Sequence, residues 1–230
     1  MKGDTTMFIC PFMSMFDSYY RNPNPISYIR VLHASPNAPA VDVYVNNVPT
    51  FRNIAYRNFS DYVSLPQGGL YNIKVFPVGT KVNPIINTNL FIPEGKIFTV
   101  AAIGEPSAIS LFPIEDTPLK PIVQGKASVR FVHLSPDAPN VDITLPNGTK
   151  LFSNVAYKGI TKYIPLNAGT YTLQARVAGT DKIVLNVPNI SVNANKFYTV
   201  YAVGFASKTP GLQVLIPLDG NSYLQLYVPS

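Results

Sequence analysis

Apolar and polar residues alternate over short runs along this chain. Val41, Val43 and Val45 fall on one side of an extended segment, and Asp42 and Tyr44 on the other. A period of two is the signature of a strand with one face buried. Residues 71–77 repeat the alternation, with Tyr71, Ile73 and Val75 sharing a side. Residues 26–34, 62–65 and 85–92 read as further strands, and residues 98–103 as a nearly continuous apolar one. Between them stand turn signals: Ser35-Pro36-Asn37-Ala38-Pro39, Asn46-Asn47, Pro66-Gln67-Gly68-Gly69, Val78-Gly79-Thr80 and Pro93-Glu94-Gly95-Lys96. Two prolines deny the first of these its backbone donors and fix φ, which predicts a rigid loop. No window carries a helical stripe, and prolines interrupt most windows long enough to hold one.

The pattern occurs twice. Residues 30–42 read R-V-L-H-A-S-P-N-A-P-A-V-D, and residues 130–142 read R-F-V-H-L-S-P-D-A-P-N-V-D, an offset of 100 residues. Asn154-Val155-Ala156-Tyr157 answers Asn53-Ile54-Ala55-Tyr56, and Gly179-Thr180 answers Gly79-Thr80. The apolar run 197–204 answers 97–104. Self-similarity at a fixed spacing predicts a tandem duplication in which each copy is one structural unit. Short strands punctuated every ten or so residues by Gly, Pro or Asn predict an all-β fold. The expected architecture is two tandem immunoglobulin-like antiparallel β-sandwich domains behind an N-terminal extended arm. The paired cysteines and core tryptophan of antibody domains are absent. The arm is assigned to residues 1–26, the first sandwich to 27–116, a linker stiffened by Pro118 and Pro121 to 117–126, and the second sandwich to 127–230. A last strand is expected at 223–228.

Composition changes the picture in two ways. Hydrophobic residues make up 47% of the 230, so the chain is globular, but charged residues make up 13%, against about 25% in ordinary globular domains. Freely diffusing monomers rely on charge repulsion to stay apart, so this balance favours self-association or a surface layer. The net charge of +6 is scattered, one Lys or Arg at a time, which argues against nucleic acid as a partner. No apolar run is long enough for a transmembrane segment. The N-terminus is only loosely like a signal peptide, because Pro11 breaks the stretch 7–16 and no small-residue cleavage site follows. The chain therefore reads as one made without a convincing export signal. Cys10 stands alone, which excludes an intramolecular disulfide and leaves it incidental or an intermolecular cross-link. The arm around it, with Phe8, Phe12, Phe16, Tyr19 and Tyr20, is too aromatic to be wholly solvated.

The run Arg30 to Val45 resembles the signature of the bacterial domain-of-unknown-function family 4397. The second copy matches through Asp142, after which Thr144 replaces the aromatic residue. The resemblance covers about residues 28–114 and 128–218. It implies β-sandwich domains, often in tandem, on bacterial cell-surface or secreted proteins, with no established catalytic residues. A bacterial cell or spore surface is the implied location, and the missing leader is a departure from the pattern.

His33 and His133, with Asp42 and Asp142, are the evident candidates for chemistry. An imidazole and a carboxylate across one loop would suit a metal site or an acid–base pair. Each copy holds one His, however, and a transition-metal site would need several carboxylates or amides besides. A catalytic site seldom needs two intact copies on one chain, whereas a loop brace is needed in every copy of a fold. The expected role is structural: Asp42 and Asp142 accept loop N–H groups, His33 and His133 brace the Pro-rich turn, and Arg30 and Arg130 pair with the same aspartates. Ser35 and Ser135 lack a nucleophile elbow, Glu115, Asp116 and Asp219 are too sparse for a calcium site, and no cofactor is indicated. Tyr44, Tyr56, Tyr71, Tyr157 and Tyr171 could stack on sugars, although sandwich tyrosines more often pack. The expected function is that of a non-enzymatic structural protein of a bacterial surface or spore layer, self-associating into a filament or appendage through its arm. The alternative is a cell-surface binding module for glycan or protein.

Overall fold

A computed structural model describes residues 26–118, 120–224 and 226. Residues 1–25 of the arm, Cys10 among them, and half of the expected last strand lie outside the described residues. The first half contains β1 (Ser27–His33), β2 (Val41–Val45), β3 (Val48–Ile54), β4 (Val63–Leu65), β5 (Gly69–Pro77), β6 (Ile86–Ile92), β7 (Ile97–Ile103) and β8 (Ser110–Glu115). The second half repeats them as β9 (Lys126–His133), β10 (Val141–Thr144), β11 (Lys150–Val155), β12 (Ile164–Asn167), β13 (Gly169–Val177), β14 (Ile183–Val192), β15 (Phe197–Val203) and β16 (Gln213–Leu215). A short 3₁₀ turn, Gly220–Ser222, occupies the approach to the expected terminal strand.

Each half is a sandwich of two four-stranded sheets. In the first, order β4-β1-β7-β8 faces order β3-β2-β5-β6; in the second, β12-β9-β15-β16 faces β11-β10-β13-β14. No sheet mixes strands from the two sides of residues 116–126. The all-β sandwich expectation holds, but the pairing is not uniformly antiparallel. β1 runs parallel to β7, with Tyr28 opposite Ile97 and His33 opposite Ala102, and β9 runs parallel to β15 in the same register. Eight strands in two sets of four also differ from the seven expected of an immunoglobulin-like domain.

The alternation read from the sequence sets each core. Val41, Val43 and Val45 meet Ile73, Val75, Ile29, Val31 and Val100 inside the first sandwich. Val141, Ile143, Leu173, Val129, Phe131 and Val200 do the same in the second. Asn46 and Asn47, at φ 48° and 66°, form the tight β2–β3 turn, where two successive left-handed residues match strand twist.

A third core lies between the halves. Leu32, Ala34, Ala101, Ile103 and Ile114 of the first half pack on Val132, Leu134, Tyr201 and Val203 of the second. β1, β7, β9 and β15 are therefore buried on both faces: all seven residues of β7 and all seven of β15 are buried. A sheet covered on both sides favours apolar residues on both faces, which accounts for the runs at 97–103 and 197–203, broken only by Thr99 and Thr199. The halves are not independent bodies on a stiff spacer.

Both halves point the same way. Ser27, Lys96 and Glu115 of the first half come together near the linker, with Ser27 Oγ donating to Pro93 O at 2.7 Å and Lys96 Nζ to Glu115 at 2.7 Å. Asn221 Nδ2 of the second half donates to Asp116 O at this same pole. The duplicated Pro-rich loops gather at the opposite pole, where Asn37 donates to Thr209 O at 3.0 Å and Lys208 reaches Glu105 at 2.9 Å.

Candidate functional site

The duplicated motif distributes its polar side chains over three separate places. His33 and His133 end strands β1 and β9 and turn into the Pro-rich loops. Their Nε2 atoms lie 2.9 Å from Pro39 O and 3.2 Å from Pro139 O, which fixes the proton on that nitrogen. Nδ1 of His133 accepts from Ser135 N at 3.3 Å, whereas Nδ1 of His33 is buried without a partner. Tyr56 and Tyr157 stand edge-on against the two imidazoles at 6.2 and 6.5 Å. Ser35 Oγ donates to Gly104 O at 2.6 Å.

Asp42 and Asp142 do not meet these histidines. They sit on β2 and β10, in the other sheet, and reach across to the neighbouring strand. Asp42 accepts from Asn53 N at 2.9 Å and from Arg52 at 3.2 Å. Asp142 accepts from Asn154 N at 2.7 Å, Gly179 N at 3.1 Å and Lys150 Nζ at 2.7 Å. Asn53 and Asn154 are left-handed, at φ 51° and 52°, and lie where the ladder slips by a residue. A bulge leaves an N–H with no ladder partner, and the carboxylate supplies one. The Lys150 ammonium and the Asn154 N–H hold the Asp142 carboxyl down to about 2. An imidazole and a carboxylate sharing one loop therefore do not arise, and among the described residues no three His, Cys, Asp or Glu side chains converge to hold a metal ion.

Arg30 and Arg130 do not pair with Asp42 and Asp142 either, because they lie on the faces of β1 and β9 that meet between the halves. Arg30 Nη2 pairs with Asp219 at 3.1 Å, and its Nη1 donates to Leu218 O at 3.1 Å. Arg130 pairs with Asp116, and its Nη1 donates to Glu115 O at 2.6 Å. Each arginine thus crosses to the other half. Its Nε stays at home, on Thr99 or Thr199 at 2.8 Å, and those hydroxyls donate to Asp116 and Asp219 at 2.6 Å. Tyr62 and Tyr163 complete the set, donating to Asp116 and Asp219 at 2.8 Å, while their rings lie 4.7 Å under the two guanidinia. Burial, reinforced by the charge of Asp116, pushes the Asp219 carboxyl up to about 6. Burial likewise raises the Tyr62 and Tyr163 hydroxyls, so both remain neutral donors.

In the sequence Asp116 and Asp219 read as too sparse for a calcium site, and Thr99, Thr199, Tyr62 and Tyr163 carry no assigned role. Thr99 and Thr199 did leave a signal, because each is the sole polar residue in an otherwise apolar strand and they recur at the repeat's own spacing.

The histidines make a testable pH dependence. Burial, outweighing the bond to the proline carbonyl, lowers both imidazoles below their ordinary value. A group with a lowered folded pKa binds more protons when unfolded, so stability is full above about 6.5 and falls as pH drops below it. Asp219, raised, acts in the opposite sense below about 6. Urea melts of the wild type and of a His33→Gln/His133→Gln variant isolate the imidazoles, since Asp219 is common to both. The variant is expected to lose less stability between pH 7 and 5 than the wild type. Equal losses would show that the imidazoles take up protons alike in the folded and the unfolded chain.

The tyrosines singled out for sugar stacking are occupied. Tyr171 donates to Asn167 O at 2.8 Å, Tyr56 and Tyr157 flank the histidines, and Tyr44 lies under Arg52 at 5.1 Å. The large exposed ring of the first half is Phe91, on β6.

Comparison with known proteins fits this duplicated framework. A family model described as Domain of unknown function (DUF4397) matches residues 27–144 and 145–223. The chain belongs to this family. The two DUF4397 segments divide after Thr144, at the end of β10, and together they account for both sandwich halves. No curated protein matches the chain. Solved structures with some similarity include the Bacillus anthracis TIE protein (12% identity, TM-score 0.26), covering 79% of this DUF4397 chain and 34% of that one. Another is a family CBM26 module from Eubacterium rectale Amy13K in complex with maltoheptaose (11% identity, TM-score 0.27), covering 83% and 96%. A third is described as alpha-glucan binding by a streptococcal virulence factor (11% identity, TM-score 0.26), covering 89% and 100%. This chain spans about a third of the Bacillus anthracis chain. Similarities this distant carry no functional argument.

Proposed function

We propose that the protein is a non-enzymatic binding module of a bacterial cell surface, in which the two halves act as one rigid body. The observation that carries this reading is the fate of the motif's polar groups. Arg30, His33, Ser35, Asp42 and their counterparts 100 residues on are all buried, at 7% exposure or less, and nearly all are bonded internally. The chemistry the duplication retains is spent on holding shape. His33 and His133 brace the Pro-rich loops, Asp42 and Asp142 brace the bulges, and Arg30 and Arg130 clasp the halves. Binding is then left to exposed faces and loops, as is usual where a rigid scaffold presents a surface.

The assembly reading, a filament or spore-layer subunit joined through the arm and Cys10, rests on residues outside those described. Light scattering and a retention assay separate the two. The full chain is expected to run as a monomer near 25.2 kDa, with or without reductant, and to sediment with bacterial cell-envelope material. Polymers that form without any retention would overturn the binding reading in favour of the structural one.

A further inference from the structure

The outer face of β2, β5 and β6 carries side chains that the fold does not use. Leu70, Asn72 and Lys74 alternate outward along β5, and Phe91, Asn89 and Asn87 alternate outward along β6, while Phe76, next in the row, is buried against Tyr44. The register sets Leu70 opposite Phe91, Asn72 opposite Asn89 and Lys74 opposite Asn87. Leu70 and Phe91 are 65% and 63% exposed, so together they make an apolar step at one end of a flat surface. Beside it, Asn72 Nδ2 donates to both Asn87 and Asn89 at 3.0 Å. That leaves the Asn72 side-chain carbonyl and the two other amide NH₂ groups without a partner among the described residues, since each amide offers two donors and an acceptor. At about 3.4 Å per residue, the row from Phe91 to Asn87 spans about 14 Å.

Of the cations on this face, Arg52 is paired with a carboxylate and Lys74 is bonded to a neutral amide. Lys74 donates to Asn47 at 2.7 Å, and Arg52 bonds Asp42 and Tyr44 at 3.2 and 3.1 Å. What is left beside the apolar step is uncharged: three amides next to an exposed aromatic ring. A sugar ring offers the complement, a C–H face that covers an aromatic ring and hydroxyls that exchange hydrogen bonds with amides.

The second half supplies an internal control. In the same fold, with Gly169 paired to Val192 as Gly69 is to Ile92, the positions of Leu70, Asn72 and Phe91 hold Thr170, Thr172 and Ser191. Thr170 and Ser191 bond each other at 3.1 Å, and Arg176 is tied to Asp181 at 3.0 Å. The sandwich therefore does not require an aromatic–amide surface there.

Resting on the binding reading above, we infer that the outer face formed by Leu70, Asn72, Asn87, Asn89 and Phe91 binds a neutral polysaccharide. Affinity electrophoresis of the full chain through gels containing a soluble α-glucan, a mixed-linkage β-glucan or a galactomannan tests it, with acidic alginate as the charged control. At least one neutral polymer is expected to retard the wild type and Ser191→Ala equally. Phe91→Ala is expected to weaken that retardation about tenfold, and Asn72→Ala/Asn89→Ala comparably, with unchanged thermal unfolding. Retardation that survives both variants overturns the placement on this face. Retention on cell envelopes without retardation by any neutral polymer overturns the ligand class while the binding reading stands, and failure of both assays overturns both. A dimer that Phe91→Ala makes monomeric would identify the face as a contact between two copies instead.

Discussion

Replacing Asp116 with alanine is expected to lower the free energy of unfolding by about 3–5 kcal/mol, the range for removing one member of a buried ion pair. Asp116 is fully buried and accepts from Arg130, Thr99 and Tyr62, so its loss strands a guanidinium and two hydroxyls in the interior. The size of the effect comes from the buried charge left without a partner and not from the worth of the pair itself. Replacing Asp116 by Leu and Arg130 by Met together is accordingly expected to cost far less than either single change. Removing the neighbouring Glu115, whose bridge to Lys96 is 36–40% exposed, should cost under about 1 kcal/mol. Equilibrium urea denaturation measures all three. Because the cluster and the third core join the halves, wild-type unfolding is expected as one transition seen alike by fluorescence and circular dichroism. Two separate transitions, or an Asp116→Ala loss no larger than that of Glu115→Ala, would show that the halves are energetically independent.

Tyr201 yields the second large effect, and with two signs. Its side chain is fully buried between the halves, packed on Phe59 at 5.6 Å, and its hydroxyl has no hydrogen-bond partner. Truncation to alanine is expected to cost about 3–5 kcal/mol, as for other large buried rings. Replacement by phenylalanine keeps the ring and removes an unbonded polar group, so it is expected to be neutral or to stabilise by about 1 kcal/mol. Thermal melts of the two variants decide the matter, and a clear loss in Tyr201→Phe would reveal a hidden partner for the hydroxyl. The equivalent residue in the first half is Ala101, which lies in the same interfacial core. A large residue and a small one thus share that core.

The strands were legible because their information is local. Alternation at Val41–Val45 is a property of five consecutive residues, and so is the Asn46-Asn47 turn. The duplication could be read by comparing the chain with itself. The partners of Arg30 and Arg130 were not legible, since they stand 189 and 14 residues away and neither is Asp42 or Asp142. The true partners, Asp219 and Asp116, read as too sparse for a calcium site, because in sequence nothing surrounds them. The nearly continuous apolar runs at β7 and β15 did hint at burial on both faces, but a run of that kind does not say what covers it.

By itself, then, the sequence determined most of the strands, the tight turns, the repeated unit and its family. Each of these depends on side chains within a few residues of one another, or on similarity that needs no coordinates. Tertiary structure alone decided that the two sandwiches fuse through a reciprocal exchange of buried arginines, and that the motif's histidines and aspartates go separate ways. It also decided which outward-facing residues remain free to meet a partner. Those outcomes follow from the stacking of whole sheets, where strands distant along the chain become neighbours and a side chain's partner is fixed by the face it occupies.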